Sequence, residues 1–134
     1  MPKLEKVEGI GGSYAVKLQN AGVATTDALL KMGSTPKGRK ELAERSGISE
    51  KMILKWVNQV DLFRIKGVGE EYGDLLEASG VDTVPELAQR NPENLHLQMN
   101  KVNEAKKLVR QLPSVKQVAG WVEQAKKLPR VINY

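Results

Sequence analysis

Residues 65–88 read IKGVGEEYGDLLEASGVDTVPELA, and residues 7–30 read VEGIGGSYAVKLQNAGVATTDALL. At a constant offset of 58 the two stretches share Gly9/Gly67, Gly11/Gly69, Tyr14/Tyr72, Leu18/Leu76, Gly22/Gly80, Val23/Val81, Thr25/Thr83 and Leu29/Leu87. Eight identities in 24 positions without a gap are rarely produced by chance. A later echo, WVNQ from Trp56 and WVEQ from Trp121, has an offset of 65, so the second copy carries extra residues. The pattern predicts an internal duplication, with one unit over residues 1–64 and another over 65–134. Units this small bury little apolar surface alone, so they are expected to pack together as one domain about a pseudo-twofold axis.

Each copy opens on a Gly-x-Gly reversal, where the missing Cβ permits φ > 0 and close approach of another molecule to the backbone. Tyr14, Leu18 and Ala21 then recur at helical spacing, as do Tyr72, Leu75, Leu76 and Ser79. Gly22 and Gly80 stand where a helix would end in the left-handed region. Thr83-Val84-Pro85-Glu86 reads as a capping box, with Thr83 accepting from the N3 amide and Glu86 reaching back. Thr35-Pro36 and Asn91-Pro92 are further helix starts. No segment alternates with period two, and a single Phe leaves the core to Leu, Val, Ile and Ala. The expected fold is all-α.

The chain has 134 residues and no Cys, which excludes a disulfide framework and thiolate chemistry. No run approaches the roughly 20 apolar residues of a membrane span. The opening MPKLEKVEGIGG lacks the features of a signal peptide, so a cytoplasmic location is expected. The net charge of +5 is unevenly spread: 0 over residues 1–30, +4 over 31–64, −5 over 65–94 and +6 over 95–134.

Both copies carry hydrophobic–x–Gly–hydrophobic–Gly ahead of a helix: Val7-Glu8-Gly9-Ile10-Gly11 and Ile65-Lys66-Gly67-Val68-Gly69. This resembles the helix-hairpin-helix motif, and its tandem use looks like the double helix-hairpin-helix fold of DNA-repair and recombination proteins. Over nearly its full length, including TPKGRKELAE, DLFRIKGVG and VPELAQRNPENL, the chain is similar to a bacterial family catalogued as domain of unknown function 4332. The helix-hairpin-helix resemblance implies contact with backbone phosphate, without reading of sequence. The physical reason is that the reversal aims successive N–H groups outward at a helix N-terminus, where the dipole favours anions.

The two copies differ where that chemistry matters. Gly12 and Ser13 follow the first hairpin, neutral and small, with Glu8 just before it; Glu70 and Glu71 follow the second, and Lys66 offsets only one of them. The expected nucleic-acid-binding residues are therefore Gly9, Ile10, Gly11, Gly12 and Ser13, supported by Lys31, Lys37, Arg39 and Lys40. Gly67, Val68 and Gly69 are expected to form a structural joint.

Leu42–Val57 also fits a helix-turn-helix spacing, Ala43 to Gly47 to Ile53, with Ser49, Glu50, Lys51, Lys55 and Asn58 on the polar face of the second helix. Any compact trihelical packing uses the same spacing. Further along, Lys106 with Arg110 and Lys126 with Arg130 would each share a helical face able to follow a phosphate backbone. Solvated helices have the same composition. Trp56, Trp121, Tyr14 and Tyr72 read as packing anchors, and aromatic stacking platforms for single strands are poorly provided.

One His, His96, and no Cys leave neither a metal site nor a nucleophile–base pair. Asp82 lies too close to the second hairpin for the catalytic Asp of helix-hairpin-helix glycosylases, and reads as a helix cap. The reading is a non-enzymatic module without a cofactor or membrane span, most simply one that binds nucleic acid. The alternative is protein interaction or self-association, with the acidic 65–94 region meeting the basic 95–134 region of another copy.

Overall fold

The computed structural model describes residues 3–7 and 9–134, so Glu8, read above as preceding the first hairpin, lies outside the described residues. The all-α expectation holds. Among the described residues a 3-10 turn, Leu4–Lys6, is followed by eight helices: α1 (Gly12–Asn20), α2 (Thr26–Met32), α3 (Pro36–Ser46), α4 (Glu50–Leu62), α5 (Glu70–Ala78), α6 (Val84–Ala88), α7 (Pro92–Lys106) and α8 (Val115–Lys127). Among the described residues, extended pairing is limited to an isolated bridge between Lys3 and Thr25. The chain divides into two units, Met1–Asp61 with Val131–Tyr134, and Leu62–Arg130.

In the first unit, α1 stops where Gly22 takes φ +96, and Val23 N–H closes back on Leu18 O at 2.8 Å. That six-to-one closure satisfies an end carbonyl and turns two apolar residues inward, since Leu18 and Val23 are both fully buried. Thr25 and Thr35 cap α2 and α3, their hydroxyls accepting from Ala28 and Gly38 N–H. Gly47, at φ +75, ends α3 and lets α4 begin only three residues later, as the helix-turn-helix spacing predicts. Leu4, Leu18, Leu29, Leu42, Ile53 and Trp56 are among the large side chains buried here.

The last four residues return to this unit. Asn133 N–H donates to Ser34 O at 2.7 Å, Ile132 is buried, and the Tyr134 hydroxyl donates to Asn58 Oδ1 at 2.9 Å.

In the second unit, α6 and α7 pack on α8 and α5 packs on α7, around a core that includes Leu75, Leu76, Leu87, Leu95, Met99, Val118 and Trp121. Asn91 caps α7 as expected.

Three local expectations are corrected. Thr83 caps α6 by position only: its hydroxyl donates to Glu86 Oε1 at 3.3 Å, and Glu86 Oε2 accepts from Asp82 N–H rather than from Thr83. The reciprocal capping box is instead at Ser114 and Gln117, at the start of α8. Lys106 and Arg110 do not share a helical face, because α7 ends at Lys106. Lys107 turns left-handed at φ 51, and the Asn103 amide takes both backbone groups of Val109, at 2.9 and 3.2 Å. Nor do Lys126 and Arg130, since α8 ends at Lys127 and the Leu128-Pro129 step is extended.

Candidate functional site

The first hairpin is held from beneath. Gly9 has φ +92, and a Cβ there would lie 3.3 Å from Trp56 Nε1. Trp56, 1 % exposed, meets Tyr14 edge-on at 5.2 Å between ring centroids, and the Tyr14 hydroxyl lies 3.9 Å from Met52 Sδ. Ile10 plugs the reversal inward, its N–H donating to Val7 O at 3.1 Å. Gly9, Gly11, Gly12 and Ser13 face solvent.

Gly11 is the N-cap of α1 and offers no side-chain cap; the first bond of the helix runs from Ala15 N–H to Gly11 O at 2.9 Å. The N–H groups of Gly12, Ser13 and Tyr14 precede that bond, and among the described residues they donate to no protein acceptor. A Cβ placed on Gly11 or Gly12 would meet nothing within 4 Å. The result is an open array of donors at the positive end of a helix dipole. Lys17 sits four residues after exposed Ser13, on the same face, with its ammonium 5.6 Å from the Tyr14 ring centroid. Sequence reading passed over Lys17, although the i, i+4 spacing to Ser13 was there to find.

The second hairpin repeats the construction. Gly67 has φ +93 and would place a Cβ 3.1 Å from Trp121 Nε1; Tyr72 and Trp121 lie 5.3 Å apart; Val68 is buried, and Gly73 N–H donates to Gly69 O at 2.7 Å. Three further bonds tie it down. Gln124 clasps the Lys66 peptide, accepting from its N–H at 2.9 Å and donating to its carbonyl at 3.3 Å, and the Tyr72 hydroxyl donates to Gln111 O at 3.0 Å. Its helix starts with Glu70 and Glu71 in the first turn. The backbone is that of the first hairpin, but an acidic first turn replaces a neutral one.

The expected cationic supports separate. Lys37 and Lys40 line a single open cleft of about 590 Å³ between α3 and α4, and Lys51 lines it with them. Lys31, in the last turn of α2, and the hairpin residues do not line it. Arg39 is not available as a surface cation. It is 6 % exposed, with Nη1 donating to Gly33 O at 2.8 Å and Nη2 to Asn133 O at 2.9 Å, and it faces the Tyr134 ring at 5.9 Å. Its guanidinium holds the fold of the unit.

Elsewhere in the second unit, the His96 ring bonds Pro113 O through Nε2 at 2.9 Å, tying α7 to the segment before α8. The Asp82 carboxyl is pushed above its ordinary range by partial burial first, then by the charges of Glu86 and Glu77. Among the described residues no group of three or more His, Cys, Asp or Glu is placed to hold a metal ion, and no helix is long and apolar enough to cross a membrane.

No solved structure matches the chain. A family model described as "Domain of unknown function (DUF4332)" matches residues 8–128, a span that takes in both glycine hairpins and both tryptophans beneath them. The chain belongs to the DUF4332 family.

Proposed function

We propose that this protein is a non-enzymatic module that binds nucleic acid through its sugar–phosphate backbone, without reading sequence, at the first of two helix-hairpin-helix elements that arose by duplication. The observation that carries the reading is the row of N–H donors at Gly12, Ser13 and Tyr14 that, among the described residues, have no protein acceptor, beside glycines whose missing side chains leave open space. Phosphate oxygens suit such donors at a helix N-terminus, and Lys17 adds positive charge on the same helix. The second hairpin serves as a joint, because Glu70 and Glu71 repel phosphate while stabilising their own helix by about 0.3–1 kcal/mol each.

Fluorescence anisotropy of a labelled 20-nucleotide DNA, followed from 50 to 200 mM salt, tests this. Binding through phosphate predicts log K falling linearly with log salt, with a slope that grows with the number of phosphates neutralised. Lys17→Gln is expected to flatten that slope by about 1, uniformly across DNA sequences. Absence of binding at 50 mM salt would overturn the reading.

A further inference from the structure

We infer that the cleft between α3 and α4 takes one nucleotide of a bound strand, phosphate against its lysines and unstacked base against its apolar wall, and so selects single strands over duplex. The inference rests on the nucleic-acid reading above and adds a second point of contact to it.

The cleft joins two chemistries. Three lysines line it, Lys37 and Lys40 from the N-terminal half of α3 and Lys51 from the first turn of α4. Pro36 and Leu54 line it too, together with buried Arg39, whose Nη1 and Nη2 already donate to backbone carbonyls. At about 590 Å³ it falls within the range of roughly 300–1,000 Å³ that ligand sites occupy.

A bare anion would use the lysines and leave the wall wet. A duplex presents charged rails with its bases stacked away from the protein. A nucleotide in a flexible single strand has both halves, a phosphate for the rim and an unstacked base for the wall. No aromatic residue lines the cleft, so the wall contributes apolar contact rather than stacking.

Glu50 stands on the same rim, in the first turn of α4 and exposed. Its carboxylate opposes a phosphate held by Lys51 next to it. Removing that charge is therefore expected to tighten binding.

The test is anisotropy at 50 mM salt with the full chain and four probes of matched length or base: a 12-nucleotide single strand, its duplex, the same strand with abasic sites, and free adenosine monophosphate by competition. The single strand is expected to bind tighter than duplex and tighter than the abasic strand. Lys51→Glu is expected to weaken it about tenfold, and Leu54→Gln about threefold, with duplex affinity unchanged by Leu54→Gln. Glu50→Gln is expected to tighten it. Competition by the mononucleotide with the same dependence on Lys51 would identify free nucleotides as a second source of the ligand; strand binding alone would restrict it to polymers.

Equal affinity for the abasic strand overturns the assignment, as does indifference to Lys51→Glu and Glu50→Gln, two exposed positions whose variants are expected to fold. Displacement of the strand by polyglutamate of equal charge also overturns it, in favour of an acidic peptide. Loss of the hairpin reading is distinguishable: then no nucleic-acid probe binds, whereas failure of the cleft alone leaves duplex binding intact.

Discussion

Gly67 holds φ +93 with a tryptophan nitrogen 3.1 Å from the place a side chain would begin. Alanine there must accept a left-handed conformation, at about 1–2 kcal/mol, and push against Trp121. Gly67→Ala is expected to lower unfolding free energy in urea by at least that amount. Gly12→Ala, in open space and inside the helix, should stay within about 0.5 kcal/mol of wild type. The contrast separates a glycine required by the fold from one that keeps a surface clear.

Asp82 gives a second prediction at this scale. Its raised pKa, caused mainly by desolvation and then by Glu86 and Glu77, means that the folded state holds the proton more tightly than the unfolded state does. Its favourable contribution is complete below the unfolded pKa and is lost as pH rises through the folded one. Asp82→Asn should therefore raise the melting temperature at pH 7 and leave it little changed near pH 3.

Between elements, the Trp-Val-x-Gln echo acquires a mechanism. Trp121 lies under the hairpin glycine, and Gln124, one turn on, clasps the peptide before it with both ends of its amide. Gln124→Ala should cost about 0.5–1.5 kcal/mol in urea unfolding without altering helical content by circular dichroism. In the first unit Gln59 stands at the equivalent position and is buried, while the residue corresponding to Lys66 is Glu8, outside the described residues.

The hairpins, the glycine stops and the Asn91 and Thr35 caps were legible because each rests on one residue type with one local preference. The ends of α7 and α8 were not. Charge spacing continued across them, and the decisive terms were the Asn103 side chain competing for the Val109 backbone and the restriction imposed by Pro129 on the residue before it. Arg39 was misread for a different reason. One of its acceptors, Asn133 O, lies 94 residues away in sequence, so nothing local distinguished this buried guanidinium from its lysine neighbours.

At the scale of the whole chain, the same backbone device occurs twice, once with a neutral and once with an acidic first turn. The first copy opens its helix on Gly12 and Ser13 with Lys17 behind them, and the second on Glu70 and Glu71. The acidic span of residues 65–94, net −5, starts at the second hairpin and lies in sequence between two basic stretches, residues 31–64 at +4 and 95–134 at +6. On the proposed reading, salt screens the attraction of these basic stretches for a polyanion. Composition showed this asymmetry; which lysines share a cleft required the fold.

Giving the first hairpin the acidic start of the second tests the central claim most directly. The double variant Gly12→Glu with Ser13→Glu should stay folded, since both positions are exposed and acids in a first turn favour the helix. Its affinity for a 20-nucleotide DNA at 50 mM salt is then measured beside that of wild type by anisotropy. The account predicts firm binding by wild type and a loss of at least about tenfold in the variant. Unchanged affinity in a folded variant would contradict it.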